Sequence, residues 1–147
     1  MNKFFVKRVE SVTPELQAAF GSLMPQLTQA PVPNSEELQL LLNSSSILVV
    51  ARTLSESGPI IGAATLAVFR TPSGQHAHVE DVIVDEALRG QGIGELLVDY
   101  LLLLAREIGL NGVSLTCNPR RVPANQLYKK MGFKKWETNT YWYELKN

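Results

Sequence analysis

A short glycine-rich turn between an apolar strand and an amphipathic helix constrains the fold more than any other segment. The segment Val79 to Val84 is apolar and predicts a strand. After the turn, apolar residues recur at spacings of three and four, which predicts a helix with one buried face. Its residues are Ile93, Leu96, Leu97, Tyr100, Leu101, Leu104, Ala105 and Ile108. The N–H groups at a helix start lack partners and the dipole there is positive, so this turn can hold a phosphate group.

The turn reads Arg89-Gly90-Gln91-Gly92-Ile93-Gly94, and three interpretations compete for it. A dinucleotide-binding turn needs a further glycine where the chain has Glu95. A P-loop ends in Gly-Lys-Ser or Gly-Lys-Thr, and the chain has no such tripeptide. A plain glycine turn accounts for one or two glycines but not for Arg-x-x-Gly-x-Gly at the start of a strong amphipathic helix. A nucleotide-binding domain of another fold is therefore disfavoured.

Two segments resemble the GNAT family of N-acetyltransferases. Arg89-x-x-Gly92-x-Gly94, preceded by Val82-Ile83-Val84-Asp85, resembles the acetyl-CoA signature of that family. Asn118-Pro119 and the segment Ala124-Asn125-Gln126-Leu127-Tyr128-Lys129-Lys130-Met131-Gly132-Phe133 resemble its second block. The resemblance implies an α+β (mixed α/β) fold, with a twisted mixed sheet of about six to seven strands flanked by about four helices. It also implies acetyl-CoA as co-substrate and no metal.

The resemblance also implies a set of cofactor contacts. The pyrophosphate of CoA would lie on the N–H groups of the turn, and the pantetheine arm would pair with the backbone of the preceding strand. The residues implied are Val82, Ile83, Val84, Arg89, Gly90, Gln91, Gly92, Ile93, Gly94, Asn118, Asn125 and Tyr128.

The strand before the turn holds the candidate catalytic base. Strand alternation places His78 and Glu80 on one face with Val82 and Val84, and Val79, Asp81 and Ile83 on the other. Acetyl transfer to an amine needs a group that removes a proton, and both Glu80 and His78 qualify. The family places its base at one or other of these positions. Glu80 is favoured, because a carboxylate among apolar residues is costly to bury unless it is paired or functional.

Asp81 is assigned to substrate binding or to tying down a loop, and the choice stays open. The Glu80-Asp81 pair resembles that of glucosamine 6-phosphate N-acetyltransferases. In the family, the region of the first two helices walls the acceptor pocket, which makes the connection 29–33 a candidate specificity element. An ordinary surface loop explains this connection equally well.

The resemblance makes Tyr128, in the second block, the candidate acid for the departing thiolate. A tyrosine hydroxyl carries its proton at neutral pH and can donate it or share it. The last helix begins at Pro123 and ends at Gly132, and its inner stripe is Ala124, Leu127, Tyr128 and Met131.

The remaining elements follow from local signals. A first strand is predicted at Phe4 to Glu10. One helix is predicted to begin at Thr13-Pro14-Glu15 and to end or kink at Pro25. A second helix is predicted to begin at Asn34, with Glu37 as its capping partner. Strands at 47–54 and 59–70, and one ending at 84, predict an antiparallel meander. Further strands are predicted at 113–118, parallel to its neighbour, and at Tyr141 to Leu145.

Composition bounds the chain as a whole. Its 147 residues predict one domain, 1–147. Lys plus Arg equals Asp plus Glu at 14 each, so no overall field attracts nucleic acid or membrane. Cys117 is the only cysteine, which excludes an internal disulfide framework and a cysteine-based zinc cluster. No signal peptide or membrane span is evident, so a cytoplasmic enzyme is expected, and family habit adds a homodimer.

The sequence therefore predicts an acetyl-CoA-dependent N-acetyltransferase that acts on the primary amine of a small molecule, with an amino sugar as one candidate. Two alternatives stay open. One is a regulatory module that binds acetyl-CoA without transferring it, and the other is an acetyltransferase for protein or peptide amines.

Overall fold

The computed structural model describes residues 3–146. The chain divides into two compact units, Met1–Leu115 and Thr116–Asn147. The first unit contains strands β1 Phe4–Arg8, β2 Ile47–Thr53, β3 Ile60–Thr71 and β4 Gly74–Val84, and helices α1 Pro14–Leu23, α2 Ser35–Asn43 and α3 Ile93–Glu107. The second unit contains helix α4 Val122–Lys130. Among the helices of residues 3–146, none has the length and apolarity to cross a lipid bilayer.

The first two helices begin as the sequence predicts. The Thr13 hydroxyl accepts the N–H of Leu16 at 3.1 Å. In α2 the Asn34 side chain accepts the N–H of Glu37 at 2.8 Å, and the Glu37 carboxylate accepts the N–H of Asn34 at 3.1 Å. This reciprocal capping box satisfies two donors that the helix start would otherwise leave unpaired. Pro25 lies in the short 3-10 turn that follows α1.

The sheet separates two apolar layers. Its strands are antiparallel neighbours in the order β1-β2-β3-β4, as the meander predicts. On one face α1 and α2 form a core of Leu16, Phe20, Leu38, Leu48, Val50 and Ala63. On the other face α3 buries Ile93, Leu97, Val98, Leu101, Leu104 and Ala105. Because successive strand residues point to opposite faces, Gly62 lies under α3 while Ala63 lies in the α1 and α2 core.

The buried face of α3 differs in detail from the predicted one. Leu96 and Ile108 are 41% and 42% exposed, whereas Val98 is fully buried. Ile108 is the capping residue beyond the last helical turn, so it no longer follows the helical period. Gly109 comes next with φ +83°, the left-handed conformation expected of a glycine just past a helix end.

One irregularity interrupts the pairing of β3 with β4. Thr65 pairs with Glu80 and Ala63 pairs with Ile83, so one β3 residue lies opposite two residues of β4. The strand alternation predicted Ile83 on the face opposite Glu80, and this prediction is wrong. Paired residues share a face, so the bulge places Ile83 on the same side as Glu80. Beyond the bulge, the Val84 side chain instead approaches Gly94 at the start of α3.

The predicted count of six to seven strands is not reached in residues 3–146, where the sheet has four. The predicted strand at 113–118 is reduced to one parallel bridge between His78 and Ser114. Tyr141 to Leu145 forms no strand, and its aromatic residues are exposed. An alternating pattern can predict the tendency to extend, but a strand also needs a partner edge that the pattern does not supply.

An ion pair anchors the start of α1 to the end of β2. The two terminal nitrogens of Arg52 donate to the two carboxylate oxygens of Glu15 at 3.0 and 2.8 Å, and Arg52 also donates to the Gly58 carbonyl at 2.7 Å. The hydrogen bond from Arg52 lowers the pKa of the Glu15 carboxyl. This link therefore stabilises the fold above the ordinary pKa of glutamate, and its contribution is lost as the pH falls through the lowered value.

We expect Gly62→Ala to destabilise the sheet where it meets α3. An added Cβ would lie 2.9 Å from the carbonyl oxygen of Ile83 and 3.3 Å from Cδ1 of Leu97, so backbone has to shift. The expected loss is about 1–3 kcal/mol in the free energy of unfolding, measured by urea denaturation.

Gly21→Ala is the matched control, because a Cβ on this exposed α1 residue meets no atom within 4 Å. It should leave stability unchanged or raise it by up to about 1 kcal/mol. Equal effects of the two substitutions would contradict the close packing at Gly62.

Candidate active site

The turn between β4 and α3 adopts a conformation that requires glycine. The Asp85 carboxylate accepts the N–H of Ala87 at 3.0 Å and starts a short 3-10 turn, Glu86–Leu88. Gly90 and Gly92 then have φ +83° and +80°, and Gly92 caps the N-terminus of α3. Residues with a Cβ rarely adopt these angles. Backbone geometry thus explains two of the three glycines in the turn.

The space in front of this helix start is open. A Cβ built on Gly90 or Gly92 would meet no atom within 4 Å, and one on Gly94 would meet only Val84 Cγ2 at 3.9 Å. Gly94 has no positive φ, so its missing side chain is not explained by conformation. The helix start is therefore uncovered, and its N–H groups and positive dipole can receive an anion. These features fit the pyrophosphate of CoA.

Two side chains fix the turn to its surroundings. Arg89 Nε donates to the carbonyl oxygen of Val84 at 3.1 Å, which holds the guanidinium against the end of β4. The Gln26 side chain accepts the N–H of Glu86 at 2.8 Å and donates to the Ser22 carbonyl at 3.1 Å. Sequence reasoning missed Gln26, because its partner lies 60 residues away and no local pattern marks the pair.

A cavity of about 240 Å³ lies between the first two helices and the sheet. Its lining is mostly apolar and comes from α1, the connection before α2, α2 and strands β2 to β4: Phe20, Met24, Pro31, Pro33, Glu37, Leu38, Leu41, Leu48, Ala63, Thr65 and Asp81. The connection singled out as a specificity element thus contributes two prolines. A separate cavity of about 260 Å³ lies at β1, on the far edge of the sheet from β4.

Glu80 lies at an exposed position on the cavity side of the sheet. It is paired in register with Thr65, which lines the cavity, and paired residues share a face. Its neighbour Asp81 has φ +50°, an uncommon conformation that aspartate tolerates better than most residues. Asp81 also lines the cavity, so the prediction that it faces away from Glu80 is wrong. The bulge is the cause of this difference.

His78 is held by neighbours on two sides. Its ring stacks on Phe69 with centroids 5.2 Å apart. Its Nδ1 forms a short hydrogen bond with the hydroxyl of Ser114, the residue that bridges to β4. These contacts account for a histidine here without a catalytic role, and its candidacy as the base stays a prediction.

In the second unit, Tyr128 is half-buried in the stripe of α4 that the sequence predicts to face inward. Its ring packs edge-on against Phe133, with centroids 5.7 Å apart. Burial raises the pKa of Tyr128, the Cys117 thiol raises it further, and Arg121 acts in the opposite direction. The hydroxyl therefore keeps its proton at neutral pH, as an acid requires.

The two predicted cofactor asparagines brace the loop before α4. The Asn125 side chain donates to the carbonyls of Asn118 and Arg121 at 3.0 and 2.8 Å, and to Cys117 Sγ at 3.5 Å. The Asn118 side chain accepts the N–H of Arg120 at 2.9 Å. Their role toward CoA stays a prediction. Within residues 3–146, no group of His, Cys, Asp and Glu is arranged to hold a metal ion.

The chain thus combines an open glycine turn at a helix start with a cavity on one face of the sheet, and comparisons with known proteins give its family. The model of the acetyltransferase (GNAT) family matches residues 10–133. The chain is 32% identical over 138 residues to the probable glucosamine 6-phosphate N-acetyltransferase 2 of Oryza sativa subsp. japonica, which covers 87% of this chain and 80% of the relative. It is 30% identical over 121 residues to the glucosamine 6-phosphate N-acetyltransferase of Trypanosoma brucei brucei, which covers 78% and 80%.

A solved structure agrees with these relatives. The crystal structure of an acetyltransferase from Trypanosoma brucei superposes with a TM-score of 0.76 at 26% identity, and the match covers 97% of this chain and all of the other. The chain belongs to the acetyltransferase (GNAT) family. The predicted fold class is confirmed, and so is the predicted enzyme class, an N-acetyltransferase that uses acetyl-CoA.

We expect Gly94→Val to weaken acetyl-CoA binding by more than about tenfold, roughly 1.4 kcal/mol. Side chains in a helix tilt toward its N-terminus, so the added methyl groups would enter the space where the pyrophosphate approaches. Gly94 is a better test than Gly92, since valine at φ +80° would strain the backbone.

Isothermal titration calorimetry measures this effect, with Gly21→Val as the control at another open helical glycine. The control should bind acetyl-CoA like the parent protein. Unchanged affinity in a folded Gly94→Val variant would contradict the assignment of the turn.

Proposed function

We propose that the chain, as a single domain 1–147, transfers an acetyl group from acetyl-CoA directly to the primary amine of a small molecule. The observation that carries this proposal is the position of Glu80. Its carboxylate lies at an exposed strand position, on the face of the sheet that carries the cavity and on the strand that leads into the glycine turn. The proposed proton acceptor, acceptor cavity and anion-binding helix start all belong to the first unit.

In this proposal Glu80 is the general base. An amine is protonated at neutral pH and becomes a nucleophile only after it loses a proton, which the Glu80 carboxylate accepts directly or through water. The freed nitrogen lone pair then forms a bond to the carbonyl carbon of the thioester, and the carbon–sulfur bond breaks as CoA leaves. The nitrogen loses its second proton in this step, which balances the proton that the CoA thiolate takes up. Acetyl-CoA supplies the activated acyl group, and the backbone at Gly92 and Gly94 supports its pyrophosphate.

Tyr128 is the proposed acid for the leaving thiolate. A hydroxyl that keeps its proton can donate a hydrogen bond to the departing sulfur or protonate it. The raised pKa of Tyr128 supports this role, because the phenol keeps its proton at neutral pH. Asn118 and Asn125 hold the loop that precedes its helix, and we propose that they act on CoA as well.

The size of the cavity favours a small acceptor over a protein. A volume of about 240 Å³ between two helices and the sheet suits a compact amine better than an extended peptide. Amino sugars are the first class to test, because the relatives in Oryza sativa subsp. japonica and Trypanosoma brucei brucei are named as glucosamine 6-phosphate N-acetyltransferases.

We expect Glu80→Gln to lower turnover by roughly a hundredfold or more, the usual contribution of a positioned base. Glutamine keeps the size of the side chain but cannot accept the proton, so acetyl-CoA affinity should be unchanged. Steady-state rates with an accepted amine, together with calorimetry for acetyl-CoA, separate the two effects.

His78→Ala is the comparison variant for the same experiment, because it removes the other candidate base. Normal turnover in Glu80→Gln combined with an inactive, folded His78→Ala variant would assign the base to His78 instead.

We expect Tyr128→Phe to lower turnover by at least about tenfold, roughly 1.4 kcal/mol of transition-state stabilisation. The substitution keeps the ring that packs on Phe133 and removes only the hydroxyl, so the melting temperature and the affinity for acetyl-CoA should hardly change. Full activity under conditions where chemistry limits the rate would reduce Tyr128 to a packing residue.

A further inference from the structure

The cavity beside Glu80 carries charge of one sign only. Among the residues that line it, the ionisable ones are Glu37 and Asp81, and none is Lys, Arg or His. Glu80, the residue next to Asp81, adds a third carboxylate on the same side of the sheet. The field inside this cavity therefore favours cations and opposes anions.

Within residues 3–146, no ion pair joins Glu37, Glu80 or Asp81 to a lysine, arginine or histidine. Glu37 accepts the N–H of Asn34, an uncharged donor, in its capping box. Arg52 pairs with Glu15 at the end of β2, and neither residue lines the cavity. A bound acceptor would therefore face carboxylates that form no ion pair within the described residues.

The rest of the lining limits the shape of the acceptor. Apart from the carboxylates and Thr65, the lining residues are apolar, and they include Phe20 of α1, Leu41 of α2 and Met24 of the turn that follows α1. Apolar walls with a few polar groups are typical of sites that hold the carbon frame of a ligand and orient its polar ends. An amine with an apolar stem fits these walls.

We infer that the acceptor is a cationic amine that carries a second positive group, such as a diamine or an amino sugar with a further amino group, and that a phosphate-bearing amine is disfavoured. The inference rests on the proposed function, since it concerns the acceptor of that reaction. A phosphate carries about two negative charges at neutral pH and would face carboxylates in this cavity. We therefore do not assign glucosamine 6-phosphate, the acceptor in the names of the relatives, to this chain.

The test uses amines that differ only in the charge of the far end. Acetyl transfer is measured by release of the CoA thiol for 1,5-diaminopentane, 5-aminopentan-1-ol and 5-aminopentyl phosphate, and for the ring pair glucosamine and glucosamine 6-phosphate. We expect kcat/KM to be highest for the diamine, lower for the amino alcohol and lowest for the phosphate. Glucosamine should likewise exceed its 6-phosphate.

Asp81→Asn tests the residue that carries the preference. It should lower kcat/KM for the diamine by about fivefold, the upper range for a solvent-accessible charge pair, while the amino alcohol changes little. Asp99→Asn is the matched control, because Asp99 is an exposed aspartate on α3, which packs on the opposite face of the sheet. This control should leave kcat/KM unchanged for both the diamine and the amino alcohol.

Binding gives a second measurement that does not depend on turnover. Calorimetry in the presence of CoA should show tighter binding of the diamine than of the amino alcohol, and Asp81→Asn should remove the difference. Preference for either phosphate over its uncharged or cationic partner would overturn the inference while leaving N-acetyl transfer intact. Failure of every amine to accept an acetyl group, with acetyl-CoA bound normally, would instead overturn the proposed function and this inference together.

Discussion

The site depends on a single extra residue in β4. Between the Thr65–Glu80 and Ala63–Ile83 pairs, two residues of β4 lie opposite one residue of β3. A bulge of this kind changes the direction of the side chains that follow it and bends the strand. Because of the bulge, Glu80 and Asp81 lie on the cavity side of the sheet. Ile83, which is only 3% exposed, is buried on that same side.

The glycine turn depends in turn on how β4 packs against α3. Val84 Cγ2 lies 3.9 Å from the position of a Cβ on Gly94, and Gly62 leaves room under Ile93 and Leu97. These close contacts place the start of α3 at the end of the strand that carries Glu80. Because α3 buries its apolar face against the sheet, its N-terminal turn is attached to a closely packed layer. The packing of the sheet against α3 therefore fixes where the glycine turn lies relative to Glu80.

Features set by local chemistry could be predicted from the sequence. The capping box of Asn34 and Glu37, the left-handed glycine after α3 and the glycines of the turn each involve residues within a few positions of one another. Features that depend on a distant partner could not. The bulge at Asp81 exists only in the pairing of two strands, and the bond of Gln26 to Glu86 spans 60 residues. The prediction of a strand at Tyr141 to Leu145 was wrong for the same reason, because a strand forms only when a second strand pairs with it.

The most direct measurement of the cofactor site is an NMR titration of the glycine amides with CoA. The chain has 10 glycines, so selective ¹⁵N-glycine labelling yields a small set of backbone resonances to assign. If the turn holds the pyrophosphate, the amides of Gly90, Gly92 and Gly94 shift most, and those of Gly21 and Gly74, outside the turn, stay in place. Saturable CoA binding that leaves the three turn resonances unmoved would contradict the assignment of this helix start as the CoA site.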